Sequence, residues 1–103
     1  MSEAKYAASA DLYKAIAHPA RLQILDLLRP GELCVCEIYP VLNMEQSNTS
    51  RHLSVLKKAG LVQSRKDGLR VLYRVTDPLI FEMLDLAADM IRAIWQEKAE
   101  LLR

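Results

Sequence analysis

The sequence of 103 residues predicts one mainly helical domain over residues 1–103, with a β-hairpin ahead of its last helix. Three observations predict it. Apolar residues recur at helical spacing in several stretches before Gly60 and again after Pro78. Between them the period changes to two, over "LVQSRK" and "RVLYRV", which flank Asp67-Gly68-Leu69; Asp-Gly between such runs is a strong hairpin signal. Proline, glycine and asparagine punctuate the joints.

The first helix spans roughly Glu3 to Ala17 and is rich in alanine, with Tyr6, Leu12, Tyr13 and Ile16 among its apolar residues. His18-Pro19 ends it, because the residue before proline avoids the helical region, and His18 suits a capping role. Pro19 fits the first turn of a second helix, "PARLQILDLLR", whose stripe is Leu22, Leu25 and Leu28 widened by Ile24 and Leu27. Pro30-Gly31 stops it. A short third helix lies within "VCEIYPVL", and Asn43 marks its exit, since asparagine tolerates left-handed backbone. The fourth runs from about Glu45 to Ala59, with Thr49, Leu53 and Leu56 inward and Gly60 as its C-terminal cap. In the second hairpin run, Val71, Tyr73 and Val75 share one face, and Arg70, Leu72 and Arg74 the other. Asp77 caps the last helix and Pro78 enters its first turn. This order, with a short turn between the third and fourth helices, is a winged helix-turn-helix.

Composition narrows the function. No run reaches the roughly 18 apolar residues of a membrane span, and the first residues lack a secretion signal. That favours the cytoplasm, where thiols stay reduced; two cysteines are also too few for a disulfide framework. The net charge is +1, but residues 51–74 hold seven basic residues against Asp67 alone, a net +6, while the remainder is acidic. So concentrated a charge suits a polyanion.

A helix-turn-helix presents the N-terminal residues of its second helix to base edges. Those residues are Gln46, Ser47, Asn48, Thr49 and Arg51, donors and acceptors that pair with bases and phosphates. His52 follows in the same helix, where a core or phosphate hydrogen bond is the default. Lys57, Lys58, Arg65 and Arg70 are expected on phosphates, with Arg70 beside the hairpin turn as a minor-groove or backbone candidate. The partner is therefore a double-stranded DNA operator. A second copy is also expected: the last helix is apolar on more than one face, from Leu79 to Trp95, and a surface helix normally shows one stripe. The expectation is a homodimer through the first and last helices.

"AHPARLQILDLL", "ELCVCEI", "SNTSRHLSVLKKAGLV" and "GLRVLYRV" together resemble the ArsR/SmtB family of metal- and metalloid-responsive repressors, in the family's order and spacing, over roughly residues 11–95. The resemblance implies a dimeric winged helix, not an enzyme, that binds an operator when free of ligand and leaves it when ligand binds. Glu45 stands where the family often has a serine cap, and Asn43 replaces a common glycine.

Cys34 and Cys36 in "ELCVCEI" are the chain's two thiols. Thiolates are soft ligands, suited to As(III), Sb(III), Cd(II) or Pb(II), and the segment resembles the family's arsenic and cadmium/lead sensing site. The arsenic version commonly adds a third cysteine, where this chain has Tyr39. The expected inducer is therefore As(III) or a related thiophilic metalloid or metal on Cys34 and Cys36, with Glu37 or the N-terminal arm as further donors for a divalent ion. Pro40 cannot bond the Cys36 carbonyl, so Cys36 belongs at or before the first turn of its helix. Three alternatives stand beside this. The pair could be a redox or persulfide switch on the same DNA-binding protein. It could belong to a small dithiol oxidoreductase, although neither Cys-x-x-Cys nor a βαβ unit is present. Or the cysteines could be inert in a constitutive DNA-binding protein.

Overall fold

The computed structural model describes residues 2–102, so the two end residues of the 1–103 span lie outside them. The elements run α1 (Glu3–Ile16), α2 (Pro19–Leu27), β1 (Leu33–Cys34), α3 (Val35–Leu42), α4 (Gln46–Lys58), β2 (Val62–Asp67), β3 (Arg70–Val75) and α5 (Leu79–Leu101). The expected helices and hairpin are all present. No helix among the described residues is long and apolar enough to cross a membrane.

Local chemistry sets the boundaries. His18 is extended and its Nδ1 accepts the Ala20 N–H at 3.0 Å, which caps α2 while Pro19 supplies its first turn. α2 closes at Leu27, two residues before the expected end, since Pro30 disfavours helical backbone at Arg29. Asn43 leaves α3 at φ 53°, in the left-handed region. The Asp77 carboxylate accepts the Leu79 N–H at 2.9 Å, so Asp77 caps α5.

Ile24, Leu25, Ile38, Leu53 and Leu56 are fully buried and join α2, α3 and α4 around one core. Each such side chain stabilises the fold by about 1.5–3 kcal/mol relative to exposure. Ile80 carries the start of α5 into the same cluster. Arg29 ties α2 to α5: it forks onto Asp85 at 2.9 and 3.3 Å and lies 5.1 Å from the centroid of Phe81.

The sheet differs from expectation in three ways. A third strand exists, in the order β1-β3-β2, with Leu33 opposite Tyr73 and Cys34 opposite Leu72. Two residues are too few to show a period, so the sequence hides it. Second, the β2–β3 ladder continues to Asp67↔Arg70, which centres the turn on Gly68-Leu69, one residue later than the Asp-Gly signal. Gly68 has φ 64°, as a two-residue type II′ turn requires at its first central position. Third, Leu72 is the buried residue of β3, although its neighbours Arg70 and Arg74 are exposed. Cys34 and Arg65 flank it in register and cover the face that a bare hairpin would leave open.

The C-terminal part of α5 has little of its own chain to pack on. Leu86, Met90, Ile91, Ile94 and Trp95 are all exposed, as are Tyr6 and Tyr13 on α1. An apolar cleft of about 310 Å³, lined by Leu12, Leu61, Leu79, Ile80 and Met83, opens on the same terminal helices.

Candidate DNA interface and thiol site

α3 and α4 are joined by Asn43, Met44 and Glu45 alone, and both are anchored by buried aliphatic residues. α4 therefore has a fixed inner face, and its outer face is polar. Gln46, Ser47, Asn48, Arg51 and Lys58 are exposed. Lys57 is exposed too, with its Nζ 2.7 Å from the Ser64 hydroxyl. Glu45 is the N-cap, yet its side chain makes no capping bond, so α4 opens without an acceptor over its first N–H groups. Those groups are free to meet an anion.

Two of the residues expected near DNA are held by the protein itself. Thr49 is fully buried and its hydroxyl donates to the Glu45 carbonyl at 3.2 Å. It faces the core one turn before Leu53, so it cannot reach a base. His52 is half-buried and turned toward α2. Its Nδ1 accepts the Arg21 Nε–H at 3.2 Å, and its ring lies 4.4 Å from that of His18. Burial, reinforced by His18, Arg21 and Arg51, holds the His52 imidazole below its ordinary pKa of 6.5.

The wing arginines are exposed but occupied. Arg65 forks onto Glu32, with Nε 3.0 Å from Oε2, and this bond holds the Glu32 carboxyl below its ordinary range. Arg70 donates to Glu37 Oε1 at 2.8 Å. Both acceptors flank the thiol segment.

That segment is the N-terminus of α3. Cys34 is the N-cap: it is extended, and its Sγ accepts the Cys36 N–H at 3.0 Å. Glu37, three residues on, returns Oε1 to the Cys34 N–H at 3.0 Å. This is the reciprocal arrangement of a capping box, with cysteine in place of serine or threonine. Cys36 sits in the first turn as Pro40 requires. Cys34 is buried and Cys36 exposed, and the two sulfurs are joined as a disulfide with Cα atoms 5.0 Å apart. A cleft of about 270 Å³ opens beside them. Its lining includes both cysteines, Gln46 and Ser50 of α4, and Leu69 and Arg70 of the wing.

From the sequence alone Glu37 reads only as a further donor for a divalent ion. Its capping role could have been found in the spacing Cys34-x-x-Glu37, which matches Ser/Thr-x-x-Glu once cysteine counts as a cap. No group of three or more His, Cys, Asp or Glu among the described residues converges as a metal site.

A helix-turn-helix with a polar outer face, followed by a hairpin of arginines, defines a winged-helix DNA-binding protein. Comparison places it further. The family described as bacterial regulatory protein, arsR family, matches residues 18–64. The HTH-type transcriptional regulator MJ1325 of Methanocaldococcus jannaschii is 40% identical over 87 residues, covering 84% of this chain and 98% of that protein. The arsenical resistance operon repressor of Escherichia coli K12 is 38% identical over 95 residues, covering 88% and 78% of the two chains. The crystal structure of Rv0081 from Mycobacterium tuberculosis superposes with a TM-score of 0.85 at 35% identity, covering 95% of this chain and 99% of that one. The homodimeric winged helix-turn-helix domain Mb0332 of Mycobacterium bovis gives 0.80 at 33% identity, covering 94% and 93%. The chain belongs to the ArsR family and is a DNA-binding transcriptional repressor of that family, not an enzyme.

Proposed function

We propose that two copies of this chain hold a double-stranded operator and leave it when a thiophilic metalloid or metal bridges Cys34 and Cys36. The carrying observation is the shared cleft: the thiol pair, the first turns of α4 and the wing turn line one cavity. A ligand seated there touches both elements that meet DNA. The exposed apolar face of α5, with Tyr6 and Tyr13 of α1, supports the dimer, since contiguous apolar surface of this kind marks interfaces. Gln46, Ser47, Asn48 and Arg51 would read bases, and Lys57, Lys58, Arg65 and Arg70 would hold phosphates.

The chain supplies two sulfurs, and among the described residues no group of three or more His, Cys, Asp or Glu is gathered there as a metal site. A mono-substituted trivalent arsenical fits that number. R–As=O and two thiols give R–As(S)₂ and one water, with no change of oxidation state. Inorganic arsenite would fill its third position with a small thiol from solution. Cd(II) and Pb(II) fit less well, because the Glu37 oxygen that faces Cys34 already serves the Cys34 N–H and Arg70. The homologous arsenical resistance operon repressor supports a metalloid as the ligand class.

The joined sulfurs favour a second reading, a redox switch. Peroxide would take two electrons from the dithiol and yield the disulfide and two waters. One experiment separates the two: fluorescence anisotropy of the protein on its own upstream DNA. Reduced protein is titrated with arsenite, methylarsenite, antimonite, Cd(II), Pb(II) and Zn(II), and in parallel with peroxide and polysulfide. Release by trivalent arsenicals is the expected result. Retention with every thiophilic reagent, alongside release by peroxide or polysulfide, would replace the metalloid reading with the redox one.

A further inference from the structure

We propose that Glu37 is the positioning residue that couples the thiol pair to the wing, because one carboxylate oxygen bonds both the Cys34 N–H and the Arg70 guanidinium. This deepens the function proposed above and rests on it. Arg70 sits in register with Asp67 at the wing turn, where a DNA phosphate would be met. It is not idle there: Glu37 occupies the place of that phosphate. The pair is about half exposed on both sides, so a phosphate can compete for it.

The same carboxylate reports the state of the thiols. Cys34 Sγ and Cys34 N are on one residue, and the Sγ is itself bonded to the Cys36 N–H. In the free dithiol the Cys34–Cys36 segment can relax when Glu37 yields Arg70 to DNA. Closing a ring through both sulfurs fixes the Cys34 peptide with its N–H on Glu37. That retains Glu37 on Arg70 and withholds the wing. A ligand shifts such an equilibrium only by its preference for one state, and the shared oxygen supplies that preference.

An internal control lies beside it. Glu32 forks onto Arg65 by the same charge logic, but among the described residues its side-chain hydrogen bonds go to Arg65 and none to the thiol segment. Removing either acid frees a wing arginine; only Glu37 should also cut the coupling.

The test measures operator affinity with and without phenylarsine oxide, in reductant, for the unsubstituted chain, Glu37→Gln, Glu32→Gln and Arg70→Gln. Uptake of phenylarsine oxide is measured separately by calorimetry. An exposed ion pair of this type is worth about two- to fivefold in an equilibrium. Glu37→Gln should therefore bind the operator about two- to fivefold more tightly without arsenical, and its release ratio should shrink by a similar factor, with uptake intact. Glu32→Gln should gain affinity and keep the full release ratio. Arg70→Gln should lose affinity and also show the smaller ratio, which answers the question even if Glu37→Gln fails to fold. A full release ratio in Glu37→Gln or in Arg70→Gln overturns the coupling alone. Loss of phenylarsine oxide uptake in Glu37→Gln overturns it too, by making Glu37 part of the ligand site. An unsubstituted protein that takes up phenylarsine oxide and keeps its operator overturns both the coupling and the metalloid reading.

Discussion

Arg21 on α2 donates its Nε–H to Nδ1 of His52 on α4, and its Nη1 reaches the carbonyl of Ala15 on α1 at 3.1 Å. One guanidinium thus staples three helices behind the DNA-facing surface, and the staple needs a neutral imidazole. Burial first, then His18, Arg21 and Arg51, lower the His52 pKa below 6.5 in the folded protein. The unfolded chain therefore binds the proton first as pH falls. Stability from this group is complete above about 6.5 and declines below it, until the folded-state imidazole also protonates. Thermal melts between about pH 7.5 and 5.5 should show a falling Tm, and His52→Gln should flatten that segment. An unchanged slope in His52→Gln would remove His52 as the cause. Glu32, whose pKa is also lowered, acts in a more acid range, from 4.5 downward.

Thr49 and Arg51 separate the inner and outer faces of α4. Thr49→Val keeps the shape of a fully buried side chain and removes its bond to the Glu45 carbonyl. The fold should lose about 1 kcal/mol, read by urea unfolding, while base preference at the operator stays the same. Arg51→Ala should leave unfolding nearly unchanged and weaken operator binding by about 1–3 kcal/mol, concentrated at one base pair. A Thr49→Val protein with altered base preference would contradict the inward assignment.

Leu53 is fully buried between α4 and the rest of the core. Leu53→Ala should destabilise the chain by about 2–5 kcal/mol, the loss of burial plus the cavity it leaves. Denaturant midpoints at constant m-value measure it. A cost below about 1 kcal/mol would mean that this site collapses around the smaller side chain.

On α5, Ile91 and Trp95 lie one turn apart and are both exposed in the single chain. Ile91→Lys with Trp95→Lys should give a monomer by sedimentation at concentrations where the unsubstituted chain is a dimer. Trp95 is the only tryptophan, so its emission should shift to shorter wavelength as dimers form. A doubly substituted chain that stays dimeric would move the interface elsewhere.

Much of this fold can be read from local chemistry. His18-Pro19, Asn43, Gly60 and Asp77-Pro78 each fix a joint by a conformation or an acceptor that few other residues supply. Leu53 and Leu56 follow from a period of 3.6. What escaped the sequence was long-range. β1 forms because β3 is there to pair with it, and Leu72 is buried because Cys34 and Arg65 cover it. At the site, the exposure of Gln46, Ser47, Asn48 and Arg51 on α4 and the position of both cysteines at the start of α3 were legible from residue type and spacing. The inward turn of Thr49 competed with its chemistry, since threonine suits a core position and a phosphate equally well. The Glu37–Arg70 and Glu32–Arg65 pairs join residues 33 apart in sequence, a distance that no local pattern spans.

The unequal burial of the two cysteines gives their chemistry an order in time. Once the disulfide is reduced, a reagent arriving from solvent would meet Cys36 first, because Cys34 is only 4% exposed. A singly reactive electrophile stops there, and the Cys34 sulfur keeps its place on the Cys36 N–H. A reagent with two exchangeable positions would go on to the second sulfur and disturb the cap of α3. On the function proposed above, such a site would count valences before it responds, since a reagent unable to complete the second step would leave the cap of α3 in place.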